Sequence, residues 1–194
     1  MTLQELRDEC RRRTQDTVVS YLWSDEEWNF ALNEAEREGA TRGRLLIDDE
    51  GAEASIDFDA GQQRARLHRN VLDVLSAKKA DGTVFTAWDL DESHMHLDEP
   101  AQTALSLSLT VLRLPRADME ADDDEPEIRP EHHAALIDWA LHVAYLKKDA
   151  DTFDEQASAR HLARFTAYFG PKPTANVLRK HRRKSPRVVR MVPF

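Results

Sequence analysis

The hydrophobic period of this chain changes twice, and that change limits the fold more than any other feature. Leu3, Leu6 and Cys10 recur at helical spacing, as do Trp28, Ala31, Leu32 and Ala35. The pattern returns at Leu136, Trp139, Ala140 and Val143, and again at Ser158, Leu162, Phe165 and Phe169. Between these segments, Leu105 to Leu112 is a period-2 run, with apolar residues on one face and Ser106, Ser108 and Thr110 on the other. A period of 3.6 places a stripe on a helix, whereas a period of two places a face on a strand. The N-terminal helices must therefore bury their stripes against the C-terminal ones, and the middle must form its own sheet. The expected fold class is α+β, mainly α: a helical bundle of N- and C-terminal helices with an inserted small antiparallel β-sheet and an extended C-terminal arm.

Local signals set the boundaries. Thr2-Leu3-Gln4-Glu5 and Ser24-Asp25-Glu26-Glu27 are capping boxes, the second with Trp23 and Trp28 arranged as a hydrophobic staple. Thr152-Phe153-Asp154-Glu155 offers a third cap, Pro130 suits a first helical residue, and Gly170-Pro171 is a stop. Helices are expected at about 2–16, 24–42, 130–149 and 153–169. The β insertion spans about 54–115, with strand patterns at 55–59, 71–75, 83–88 and 105–112 and a hairpin turn at Asp81-Gly82. Residues 117–129 carry seven acids, which repel one another and predict a mobile loop. Residues 1–170 read as one domain and 171–194 as a basic arm. Trp23, Trp28, Leu32, Leu136, Trp139, Val143, Leu162, Phe165 and Phe169 are assigned to core or subunit packing.

No combination of residues proposes an enzyme. His94 and His96 alternate as on a strand and could face one side near Asp89, Asp91 and Asp98, but no second ligand pair completes a zinc site. His132 and His133 point about 100° apart on a helix, so they cannot chelate together; they read as a polar first turn, and His142 as a surface or interface residue. The Asp122–Glu125 run lacks the alternating ligands and glycine of a calcium loop. The six glycines are scattered, with no phosphate-cradling loop, and no cofactor is implied. Cys10, the single cysteine, lies on an apolar helical face and reads as a buried packing residue of a protein made in a reducing compartment. No apolar run approaches the roughly 20 residues that cross a bilayer, so no membrane contact is expected. The N-terminal stretch does not read as a signal peptide.

Charge then separates the chain into two parts. The arm holds Lys172, Arg179, Lys180, Arg182, Arg183, Lys184, Arg187 and Arg190 and no acid, so it is +8 while residues 1–170 hold −17 of the net −9. A block of one sign on a body of the other is the mark of an interaction arm. The acidic body repels phosphate, so DNA contact could come only from the arm. Its last residues mix charge with Val188, Val189, Met191, Val192 and Phe194. Phosphate binding has little use for these, whereas a peptide that enters a groove or adds to a sheet edge does.

Several stretches in order resemble the head-to-tail adaptor, or connector, proteins of tailed bacteriophages. Leu22-Trp23-Ser24-Asp25-Glu26-Glu27 with Leu32 to Glu38 is similar to that family's N-terminal helices. Ile128 to His133 leading into Leu136 to Leu141, Tyr145 to Asp154 as an inter-helix turn, and Phe165 with Phe169-Gly170-Pro171 match its second half. The resemblance covers about two-thirds of the chain. It implies a noncatalytic virion protein, made in the host bacterial cytoplasm and located at the neck between portal and tail. It further implies a homo-oligomeric ring, usually of twelve, whose partners are the portal protein, neighbouring subunits and a downstream tail or nozzle protein. Genomic DNA would pass through without specific binding. The portal-docking arm would comprise Arg179, Lys180, Arg182, Arg183, Lys184, Arg187, Val188, Val189, Arg190, Met191, Val192 and Phe194. The alternative from another class is a DNA-binding packaging accessory protein that uses the same basic tail.

Overall fold

A computed structural model describes residues 1–149 and 151–177, so the arm residues Arg179 to Phe194 lie outside the described part. The chain divides into a helical unit, Met1–Leu46 with Leu114–Lys172, and a second unit, the β unit, that takes in the β segment Ile47–Arg113 and, among the described residues, also 173–177.

The helical unit contains α1 (Leu3–Thr14), α2 (Asp25–Gly43), α3 (His133–Ala144) and α4 (Glu155–Phe169). Both N-terminal capping boxes form. Glu5 N–H donates to Thr2 Oγ1 at 3.3 Å while Thr2 N–H donates to Glu5 Oε2 at 3.0 Å, and Ser24 and Glu27 repeat the exchange. The third cap lies two residues later than expected. Asp154 accepts from the Ala157 amide at 2.9 Å, because the Thr152 hydroxyl is committed to the Lys147 carbonyl at 3.2 Å. Pro130 opens a single 3₁₀ turn, Pro130–His132, rather than α3 itself.

α3 is the hub of this unit. Leu136, Ile137, Ala140 and Leu141 are all fully buried. One side of the helix joins Leu3, Leu6, Cys10, Trp28 and Leu32, and another joins Ala35, Phe165 and Phe169. Trp23, Trp28, Leu32, Leu136, Trp139, Phe165 and Phe169 are buried, with Val143 and Leu162 partly buried beside them. Trp139, Phe165 and Phe169 meet in series as tilted rings at centroid separations of 5.1 and 4.6 Å. Gly39 belongs to this packing, since a Cβ there would lie 3.2 Å from the Phe169 ring.

The β unit holds two antiparallel sheets where a single one was expected. The larger contains β1 (Ile47–Asp48), β2 (Ser55–Phe58), β4 (Val71–Lys79), β5 (Val84–Phe85) and β8 (Leu105–Arg113); the smaller contains β3 (Arg64–Arg66), β6 (Trp88–Leu90) and β7 (His94–Leu97) in the order β3-β7-β6. β8, the period-2 run, is the spine of the larger sheet and pairs with β1, β2 and β4. Leu107, Leu109 and Val111 face the β core while Ser106 and Ser108 face solvent. The expected strand at 83–88 is divided, with β5 in one sheet and β6 in the other. Asp81-Gly82 does form the turn between β4 and β5, with Gly82 at φ +82° and Asp81 Oδ1 accepting from the Thr83 amide at 2.9 Å.

The acidic segment departs from expectation. Residues 117–129 lack regular structure but are tied down, because cations and amides of α1 and α2 meet them. Leu3 N–H donates to Asp124 O at 2.7 Å and Gln4 N–H to Asp122 O at 3.1 Å. Arg7 pairs with Asp122 and Arg37 with Asp118. Asn33 grips the backbone of Met119 from both sides, accepting at 2.8 Å and donating at 3.0 Å, and Met119 is buried among α1, α2 and α3 side chains. Self-repulsion is offset by these partners, which local composition does not reveal.

Two substitutions separate the packing from the caps. Phe165→Ala is expected to lower the unfolding free energy by about 3–5 kcal/mol, and Ser24→Ala by about 1 kcal/mol. Urea titration followed by circular dichroism measures both. Equal losses would contradict a core centred on α3 and α4.

Candidate functional site

The exposed end of α2 and the end of α3 enclose an apolar groove of about 450 Å³, lined by Trp23, Trp28, Phe30, Ala31, Val143 and Leu146 with Glu26, Glu27 and Lys147 at its edge. Its floor is rigid. The Trp23 and Trp28 rings lie 5.4 Å apart, Tyr145 meets Trp23 edge-on, and Trp23 Nε1 donates to the Ala144 carbonyl at 3.1 Å. Lys147 pins one rim by bonding Glu27 at 2.8 Å and the Leu22 carbonyl at 2.9 Å. Phe30 and Leu146 instead stand 66% and 44% exposed, which is unusual for side chains of their size. Glu26 has no ion-pair partner among the described residues. Sequence reading missed this groove. The available signal was Phe30, an aromatic off the stripe set by Trp28, Ala31, Leu32 and Ala35.

The histidines are distributed among structural contacts. His94 and His96 do share a face of β7, and Asp91 sits against both: His96 Nε2 lies 2.8 Å and His94 Nδ1 3.4 Å from its carboxylate, with Arg64 Nη2 at 3.0 Å. The His96 contact and the Ser93 and His94 amides hold the Asp91 carboxyl well below the usual carboxylate range. Among the described residues no three His, Cys, Asp or Glu side chains converge as metal ligands.

His133 is buried rather than part of a polar turn. One ring nitrogen faces the Met1 amine at 2.8 Å and the other the Ile128 carbonyl at 2.8 Å. His142 is half-buried, and its Nδ1 lies 2.7 Å from Ser158 Oγ. That hydroxyl donates to the His142 carbonyl at 3.0 Å, so the pair staples α3 to α4. Burial lowers the His142 pKa and favours the neutral ring. His161 meets Asp138 at 2.7 Å across the same helix pair. Cys10 is fully buried, and desolvation pushes its thiol up to about 12, so it remains protonated and unreactive.

Glu36 is the outlying acid of the helical unit. It is buried on α2 and accepts from the Ile128 amide at 3.3 Å, which joins α2 to the segment before α3. Desolvation raises its carboxyl to about 7.

The family of SU10 adaptor proteins matches residues 1–190, and the chain belongs to it; these are phage head-to-tail adaptors. No curated protein matches the chain. Membership makes this a structural phage protein of the virion neck and implies association with portal and tail proteins. The match extends to Arg190, so all of the arm but its last four residues lies within the family's span.

Glu36 gives a pH prediction whose sign is fixed. Its folded pKa lies above the unfolded value, so its contribution is fully present below about pH 4.5 and is lost as pH rises through about 7. Glu36→Gln keeps the acceptor and removes the buried charge. It should therefore be more stable than the parent at pH 8.5, by about 1–3 kcal/mol, and nearly equal to it at pH 5. Thermal melts across that range measure the difference, and a constant offset would contradict the assignment.

Proposed function

We propose that copies of this chain form a homo-oligomeric ring, of twelve subunits, that docks on the portal through residues 171–194. The ring continues the DNA channel toward the downstream tail or nozzle protein. The observation that carries this reading is the charge split, −17 on residues 1–170 against +8 on the arm, within a chain that matches the adaptor family almost end to end. A conduit must let DNA slide, and an acidic body does not hold phosphate. Arg179, Lys180, Arg182, Arg183 and Lys184 make charge-assisted bonds to acidic portal surface, and Val188 to Phe194 supply apolar contacts or an added strand. Many identical arms on one ring then bind with high effective concentration.

The Arg182-Arg183-Lys184 cluster also favours a second reading, a DNA-binding packaging accessory protein. Deleting residues 178–194 separates the two. The truncated protein should retain its helical circular dichroism and lose co-sedimentation with portal rings, while the full chain shows little DNA retention at physiological salt. Undiminished portal occupancy after truncation would overturn arm docking. Strong DNA binding that falls steeply with salt and disappears on truncation would favour the second reading.

A further inference from the structure

The loop between α1 and α2 carries the two most exposed large apolar side chains among the described residues, Val18 and Val19, at 76% and 84%. Its base is fixed on both sides. The buried Asp16 carboxylate accepts from the Leu22 amide at 3.0 Å and the Trp23 amide at 3.3 Å, so residues 17–21 stand out as a short tongue between anchored ends. The Arg11 guanidinium lies 4.2 Å from the centre of the Tyr21 ring and braces one shoulder. Ser20 is held at a left-handed φ of +62°, which costs a non-glycine residue energy and persists because the ends are anchored. Solvent does not favour two adjacent valines at a loop tip, where small polar residues are the rule.

The same helical unit displays a matching recess. None of residues 17–21 lines the Trp23–Phe30–Leu146 groove, and Val18 and Val19 are too exposed to lie in it, so a chain does not fill its own recess with its own tongue. At about 450 Å³ the groove takes a few side chains rather than a whole helix. Charge matches as well. Arg12 and Arg13, at the end of α1 beside the tongue, share one acid, Glu9, and leave a surplus positive charge. At the groove rim Lys147 offsets Glu27, and Glu26 is left over. A second copy of this chain satisfies both exposures with one contact, whereas an unrelated partner must supply a knob and a hole together. We propose that the Val18–Val19 tongue of one copy seats in the groove of the next, with Arg12 or Arg13 facing Glu26. A knob on one surface and a hole on another make a head-to-tail contact, which repeats from copy to copy and can close into a ring. Five residues bury far less than the roughly 800 Å² per partner of a standard interface. A single contact is therefore weak, and the closed ring, in which every copy makes two, holds it. The inference rests on the ring reading above and names the surfaces that join its subunits.

Val19→Cys and Phe30→Cys place thiols at two exposed positions, while the buried Cys10 stays unreactive. A short bismaleimide crosslinker is added to the full-length protein mixed with portal and, separately, to the free protein at high concentration. Val19→Cys mixed with Phe30→Cys should give crosslinked dimers at about tenfold the yield of either variant alone, and the double variant should give a ladder beyond dimers. Absence of intermolecular product in both samples overturns the proposal, and so does a bridge that closes within one chain. A double variant that stops at dimers shows reciprocal exchange and overturns the head-to-tail contact. Val19→Glu reads the same contact without a crosslinker, since it places a charge in the apolar seat. Rings counted by electron microscopy should fall about tenfold, while circular dichroism and the melting temperature stay at the parent's values; an unchanged ring count overturns the proposal. If the parent forms rings and no crosslink appears, only the tongue-and-groove contact fails. If the parent forms no rings, the ring reading fails, and crosslinking of the free protein still decides the contact.

Discussion

Burial of α3 is the constraint on which the helical unit depends. Leu136, Ile137, Ala140 and Leu141 are lost to solvent on several sides of one 12-residue helix, and no neighbour close in sequence can cover them all. α1 and α2, more than 90 residues earlier, supply one wall, and α4 supplies the other. The β unit can therefore be inserted between α2 and α3 without interrupting the core that surrounds α3. The same packing fixes Trp23 and Trp28, because Trp23 Nε1 bonds the carbonyl of Ala144 at the end of α3. The groove is a by-product of that closure: its floor is the edge of the helical core and its rim is what the core leaves exposed.

Electrostatics then divides the work between body and arm. Within the helical unit, acids concentrated in residues 117–129 find cations on α1 and α2, namely Arg7 and Arg37, and contribute to closing the bundle. The Arg37–Asp118 pair is exposed and worth little by itself, whereas Arg7 is buried. Here they act together with backbone bonds from Leu3 and Gln4 and with buried Met119, which is why the segment has a defined course. The surplus of negative charge that remains suits the proposed channel, and the compensating positive charge sits in residues 171–194.

The helices were legible in the sequence because their stripes and caps are local. Thr2-Glu5 and Ser24-Glu27 form as written, and the packing residues from Trp23 to Phe169 are buried or partly buried. β8 was equally clear, since strict alternation over seven residues, Leu105 to Val111, has no helical counterpart. What failed to show depends on distant partners. β3 is three residues long and exists by pairing with β7, and the split of 83–88 between two sheets has no local cue. His133 looked like a first-turn polar residue because its bonds go to Met1 and Ile128, and nothing in its immediate neighbours marks it as buried. Residues 117–129 looked repulsive because the cations that hold them lie about a hundred positions away. The groove escaped notice because an exposed Phe30 becomes meaningful only beside Leu146.

The central claim is that the acidic body assembles as a ring on the portal and that its basic arm holds the neighbour, not the DNA. Electron microscopy of the full-length protein mixed with its portal tests this most directly. The account predicts closed rings of this chain capping the portal, with density for residues 178–194 continuous from the ring onto portal protein. Portal particles without added rings, or rings whose arms turn inward to contact DNA, would contradict it.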